Sequence, residues 1–126
     1  MTMSPADDIL VVEDDPAIVD FVQRVLRRAG YAVRTAGDGA VALAAIAEHR
    51  PALVLLDLTL PGVRGEAVVE QLRRQPSAVP IIVITASPHA AARLSDAHIR
   101  QILLKPFLLQ ELLDAVAASV VPPPTI

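Results

Sequence analysis

Residues 52–57 read Ala-Leu-Val-Leu-Leu-Asp (ALVLLD), an unbroken apolar run closed by one acid. A strand with one wet face alternates apolar and polar residues, whereas a strand covered on both faces reads as a continuous apolar run. This stretch is of the second kind, so the sheet containing it needs helices above and below. On either side lie further short runs rich in branched residues: ILVV (9–12), AVRTA (32–36), PIIVIT (80–85) and QILL (101–104).

The stretches between these runs have helical spacing. Ile18, Val22, Val25, Leu26 and Ala29 share one face, while Asp20, Arg24, Arg27 and Arg28 point away. Leu108, Leu109, Leu112, Leu113, Val116 and Val120 form a later stripe. Asp15-Pro16 is a helix start, an N-cap followed by proline at the first helical position, and Ser87-Pro88 repeats it. Gly30 closes the first helix, and Pro51 stops an Ala-rich helix that begins near Gly39. Five strand–helix units in strict alternation predict an α/β fold, a parallel sheet with helices on both faces. Right-handed crossovers leave few topologies.

At 126 residues the chain suits one domain with one buried core. Apolar residues at 53% and charged residues at 20% exclude a disordered chain. With 2% aromatics the core must be built from Ala, Val, Leu and Ile. The net charge of −3 gives no general pull toward nucleic acid or anionic lipid, and direct nucleic-acid binding is not expected. No cysteine is present, which excludes disulfides and thiolate metal sites. The N-terminal MTMSPADD is no secretory signal, and no apolar stretch approaches the roughly 20 residues that span a bilayer. A cytoplasmic protein without membrane insertion is expected. The expected division is a tail over residues 1–6, one domain over 7–120 and a Pro-rich tail over 121–126.

Ligands of open parallel sheets bind at the carboxyl ends of the strands. There the first strand ends in Glu13-Asp14, the third in Asp57 and the fourth in Thr85, while Lys105-Pro106 follows the fifth. Three acids in a row, Glu13, Asp14 and Asp15, are costly beside a hydrophobic core. A like-charge pair at 4 Å costs about 4 kcal/mol at an effective dielectric near 20. Asp15 is accounted for as the cap before Pro16. The other acids, grouped with Asp57, offer hard oxygen ligands that suit Mg²⁺.

ILVVEDDPAI, LVLLDLTLPGVRG, PIIVITA and LLKPF, in this order and spacing, resemble the receiver domain of bacterial response regulators. The resemblance covers roughly residues 7–120. It implies a flavodoxin-like (βα)5 three-layer sandwich of strand order 2-1-3-4-5. It also implies phosphorelay signalling, with Asp57 accepting a phosphoryl group from a sensor histidine kinase or phosphotransfer protein. By the same likeness Mg²⁺ is held by Glu13, Asp14, Asp57 and the backbone carbonyl of Thr59. Lys105 pairs with a phosphate oxygen, and Thr85 bonds the phosphate and draws in the following loop. Pro106 follows a cis peptide bond. Thr59 and Ser87 flank the water that ends the phosphorylated state.

Several features depart from the family pattern. The switch position three before the lysine, usually Tyr or Phe, is Ile102, which has no polar tip to swing. Gln101 stands where an acidic or small residue is common. The interval from Thr85 to Lys105 is shorter than usual, which predicts a short or irregular fourth helix. The fifth helix, LLQELLDAVAASVV, has no basic residue for the charge pairs by which many transcription-factor receivers dimerise. Output is therefore expected through a downstream protein bound at the fourth helix, fifth strand and fifth helix.

Other groups carry no chemistry in this reading. His49, His89 and His98 lack ligand spacing, RVLRR (24–28) is a solvated helix face, and Gly62 and Gly65 serve the loop and helix after Asp57. The leading expectation is a phosphoacceptor switch, not an enzyme on other substrates, with only self-directed phosphotransfer and dephosphorylation. The alternative is an interaction module that keeps the fold without regulated phosphorylation. A hydrolase of the haloacid dehalogenase type needs a second acid two residues after its nucleophile, and Thr59 occupies that position.

Overall fold

The computed structural model describes residues 8–59, 65–74, 79–92 and 98–120. The expected tails, residues 1–6 and 121–126, and Gly62 lie outside these residues. Strands β1 (Ile9–Val12), β2 (Val33–Ala36), β3 (Leu53–Asp57), β4 (Ile81–Thr85) and β5 (Ile99–Leu104) alternate with helices. The helices are α1 (Pro16–Arg28), α2 (Gly39–Glu48), α3 (Gly65–Arg73), α4 (Pro88–Ala92) and α5 (Leu109–Ser119). All neighbouring strands pair in parallel, in the order β2-β1-β3-β4-β5. This is the flavodoxin-like arrangement.

The central strands bury both faces, as their unbroken apolar runs require. Leu10, Val12, Val54, Leu56, Ile81 and Val83 pack toward α2 and α3, against Ala42, Ile46, Val68, Val69 and Leu72. The alternate residues Ile9, Val11, Leu53, Leu55, Ile82 and Ile84 pack toward α1 and α5, against Val22, Leu26, Leu112, Ala115 and Val116. The side-chain period of two thus feeds two cores from one sheet.

Local chemistry sets the ends of α1. The Asp15 carboxylate accepts the Ala17 N–H at 2.9 Å, and Pro16 occupies the first turn. At the other end Gly30 has φ +99, Gly30 N donates to Arg27 O at 3.0 Å, and Tyr31 N to Leu26 O at 3.0 Å. That pair of bonds is a Schellman motif, which needs a left-handed residue where glycine stands. Arg27 and Arg28 in the last turn suit the negative end of the helix dipole.

The structure amends the predicted elements in several places. β5 begins at Ile99, before the predicted QILL, because an irregularity opposite Ile81 and Ile82 lets Arg100 be skipped in the ladder. Leu108 and Leu109, predicted in the buried stripe of α5, are 70% and 45% exposed. Leu108 is the extended residue before the helix, so helical periodicity does not govern where its side chain points. Ala29, placed on the apolar face of α1, is the exposed C-cap. α4 is described over the five residues Pro88–Ala92, and the residues in which the expected shortening would fall lie partly outside the described ones.

A contact invisible to pattern reading ties the other end of the sheet. Arg34 on β2 pairs with the buried Asp8 carboxylate and donates to Ala45 O at 2.8 Å and His49 O at 2.6 Å. One guanidinium thereby satisfies a buried acid and two carbonyls at the end of α2.

Candidate phosphoacceptor site

Each site residue sits where a strand stops. Glu13 follows β1 and extends its ladder, donating its N–H to Ala36 O at 3.0 Å. Asp57 is the last residue of β3, and both carboxylates are about 1% exposed. Lys105 follows β5, its N–H held by Thr85 O at 2.9 Å. The expected cis bond joins it to Pro106.

The Lys105 ammonium reaches across the edge of the sheet. Its Nζ lies 2.6 Å from Glu13 Oε1 and 3.2 Å from Asp57 Oδ2. The second Glu13 oxygen accepts the Asp14 N–H at 3.1 Å. Asp57 Oδ1 accepts two bonds from one residue, the backbone N–H and the hydroxyl of Thr59, each at 2.9 Å. The two oxygens of Asp57 are therefore distinguished, one held by Thr59 and one facing the lysine.

These contacts divide the charges unequally. Burial, reinforced by the adjoining Asp57 carboxylate and opposed by Lys105, pushes the Glu13 carboxyl up to about 7. Burial also pushes the Asp57 carboxyl up, but hydrogen bonds from Glu13 and Thr59 and the Lys105 charge outweigh it, and the carboxyl lies below its usual value. Burial draws Lys105 down, yet its bonds to Glu13 and Asp57 raise it above the ordinary lysine value. Asp57 is the group kept ionised, as a nucleophilic carboxylate must be.

Glu13, Asp14 and the Asp57 carboxylate each offer an oxygen, and the three oxygens lie within 4.8 Å of one another. This hard, all-oxygen set fits Mg²⁺ beside a phosphate, since that ion binds few carboxylates and keeps other positions for water and phosphate oxygens. The exposed Asp14 leaves the site open on one side. Asp15, the third acid in the row, is turned to its capping role.

Thr85 is fully buried, and its hydroxyl accepts the Ser87 N–H at 3.0 Å. Ile102 is 41% exposed on the edge strand, with no polar group to report on the site. Sequence reasoning assigned Thr59 a backbone carbonyl role and missed its hydroxyl bond to Asp57. A hydroxyl two residues after a buried acid, where it can join the backbone N–H in an Asx-type turn, was the available signal.

The comparisons with known proteins agree with this geometry. The family model for the response regulator receiver domain matches residues 9–117. The chain is 42% identical over 112 residues to response regulator MprA of a Mycobacterium species, covering 87% of this chain and 49% of that protein. It is 41% identical over 112 residues to the DNA-binding response regulator MtrA of Mycolicibacterium smegmatis, again covering 87% and 49%. It superimposes on the crystal structure of response regulator TrrA from Thermotoga maritima in complex with Mg(2+)-BeF with a TM-score of 0.81. That match has 32% identity and covers 89% of this chain and 97% of the other.

The chain belongs to the response regulator receiver domain family, and is a receiver domain of two-component signalling. Receiver domains of this kind interact with histidine kinases. The chain spans about half the length of the curated relatives it matches. The expected absence of nucleic-acid binding gains no support, since one of those relatives is a DNA-binding regulator. No described helix is long and apolar enough to cross a membrane.

Proposed function

We propose that Asp57 takes a phosphoryl group from the phosphohistidine of a sensor kinase or phosphotransfer protein, and that this switches a protein–protein interaction in the cytoplasm. The observation that carries the reading is the Lys105 ammonium between the Glu13 and Asp57 carboxylates, beside Asp14, at the carboxyl edge of the sheet. A carboxylate oxygen of Asp57 attacks phosphorus, the phosphorus–nitrogen bond breaks, and imidazole departs. In-line placement and neutralised oxygens are what such a transfer needs.

Glu13, Asp14 and Asp57, with the Thr59 carbonyl by the family pattern, would hold Mg²⁺, which supplies positive charge to phosphoryl oxygens. Lys105, already within 3.2 Å of Asp57 Oδ2, supplies a second positive charge to the same group. Thr85 supplies a hydroxyl. Water attack on the acyl phosphate returns Asp57, so the only chemistry is self-directed. Thr59 and Ser87 flank that water.

Output runs through α4, β5 and α5. Ile102, Leu104, Leu108 and Leu109 are exposed aliphatics on β5 and the start of α5, an apolar surface suited to a protein partner. Titrating a partner while following amide shifts tests this, and changes confined to α1 and β2 would refute it. The phosphoacceptor role is tested by incubating the chain with Mg²⁺ and acetyl phosphate and weighing the intact protein. A gain of one phosphoryl mass that disappears in Asp57→Asn is expected. No gain, or a gain that survives that substitution, removes the reading.

A further inference from the structure

The net charge of −3 conceals how the charges are placed. Each helix runs back from the carboxyl edge of the sheet, so helix ends and strand starts meet at the opposite, amino edge. Among the described residues that edge is rich in arginine. Arg27 and Arg28 end α1, Arg50 lies between α2 and β3, Arg73 and Arg74 close α3, and Arg100 stands near the start of β5. All are exposed. Of the described acids there, Asp8 is buried against Arg34, and Glu70 is shared between Arg73 at 3.3 Å and Arg74 at 3.6 Å. Glu48 is exposed beside Arg50 in the chain. Arg28, Arg50 and Arg100 have no ion-pair partner among the described residues. The opposite edge collects Glu13, Asp14, Asp15, Asp38 and Asp57, with Lys105 as its described cation.

The helix dipole accounts for arginines in the last turns of α1 and α3. It does not account for Arg50 and Arg100, which lie outside helices. Nor does the amino edge suit an apolar partner or a membrane. The exposed large apolar side chains, Phe21, Val41, Ile102, Leu104, Leu108 and Leu109, stand midway along their elements or toward the carboxyl edge. Tyr31, after α1, packs on the core beneath α1 and α5, so it offers bases no stacking surface. What remains is a set of guanidinium forks, which suit phosphate oxygens. Strand and helix-layer spacings spread them over about 20 Å. That length of duplex carries about twelve phosphate charges.

We propose that this arginine edge binds the phosphate backbone of duplex nucleic acid without reading its sequence, while the acidic edge stays free for phosphotransfer. The test uses the full chain and a fluorescently labelled DNA duplex of about 20 base pairs, followed by anisotropy. Three phosphate contacts, from Arg28, Arg50 and Arg100, should weaken binding about 40-fold between about 50 and about 200 mM salt. Replacing all three with Gln should weaken binding at low salt at least about tenfold and flatten the salt dependence. Replacing them with Lys, which keeps the charge, should retain binding within a few-fold. Arg24→Gln, on the flank of α1 and paired with Asp20, should leave it unchanged. Circular dichroism and phosphorylation by acetyl phosphate report that each variant is folded. No binding by the unaltered chain at low salt overturns the proposal, as does binding that survives the triple Gln substitution. A preference for single strands, or for anionic lipid vesicles over the duplex, overturns it as well.

Discussion

Replacing Lys105 with Met removes one cation from between two buried carboxylates, with a consequence that depends on pH. At 2.6 Å from Glu13 and 3.2 Å from Asp57, the gross attractions are about 6 and about 5 kcal/mol at an effective dielectric near 20. Much of that offsets desolvation, and breaking such a buried group by removing one partner costs about 3–5 kcal/mol. Glu13 can relieve its share by taking up a proton. Its carboxyl stands near 7 in the fold against 4.5 for the free side chain, because of burial and Asp57 with Lys105 opposing. Without Lys105 it rises further.

A raised carboxyl pKa makes a contribution to stability that is full below about 4.5 and is lost as pH climbs through the folded value. In the unaltered chain that loss is complete a little above pH 7. In Lys105→Met it continues above that point, at up to about 1.4 kcal/mol per pH unit. The stability difference should therefore change little at pH 5–6 and grow above about pH 7, by at most about 1.4 kcal/mol per pH unit. Urea denaturation of both proteins across that range measures it. A difference that stays flat, or widens toward acid, would refute the charge arrangement inferred for the site.

Asp15→Ala removes the acceptor for Ala17 N–H and should lower stability by about 1 kcal/mol, read by urea denaturation, without weakening Mg²⁺ binding. Asp8→Ala strips the carboxylate from Arg34 but leaves it two carbonyl acceptors. The loss should fall near the lower end of about 3–5 kcal/mol and appear as a drop in Tm with the metal site intact. Gly65→Ala places a Cβ 2.9 Å from Leu58 Cα and 3.2 Å from Asp57 O, so α3 must shift away from the acceptor strand. A cost of about 1–3 kcal/mol and slower phosphorylation by acetyl phosphate are expected, measured by denaturation and by intact mass against time.

Most of the fold was written in local pattern. The apolar runs marked the strands because a strand buried on both faces has no polar positions to alternate. Asp15-Pro16, Ser87-Pro88 and Gly30 marked helix ends because capping is a contact between near neighbours in the chain. The acid pair, Asp57, Thr85 and Lys105 were legible for a related reason, since parallel strands carry whatever ends them to one edge. The resemblance to receivers then supplied their roles.

Tertiary structure alone decided which oxygen meets which partner. Lys105 and Glu13 are separated by nearly the whole domain, and only the order of the strands brings the ammonium to Glu13 as well as Asp57. The Asp8–Arg34 clasp, the skipped Arg100 in β5 and the exposure of Leu108 were likewise beyond pattern reading. Periodicity reports the average environment along an element. Pairings across strands, and residues just outside a helix, depend on distances that exist only once the layers have packed.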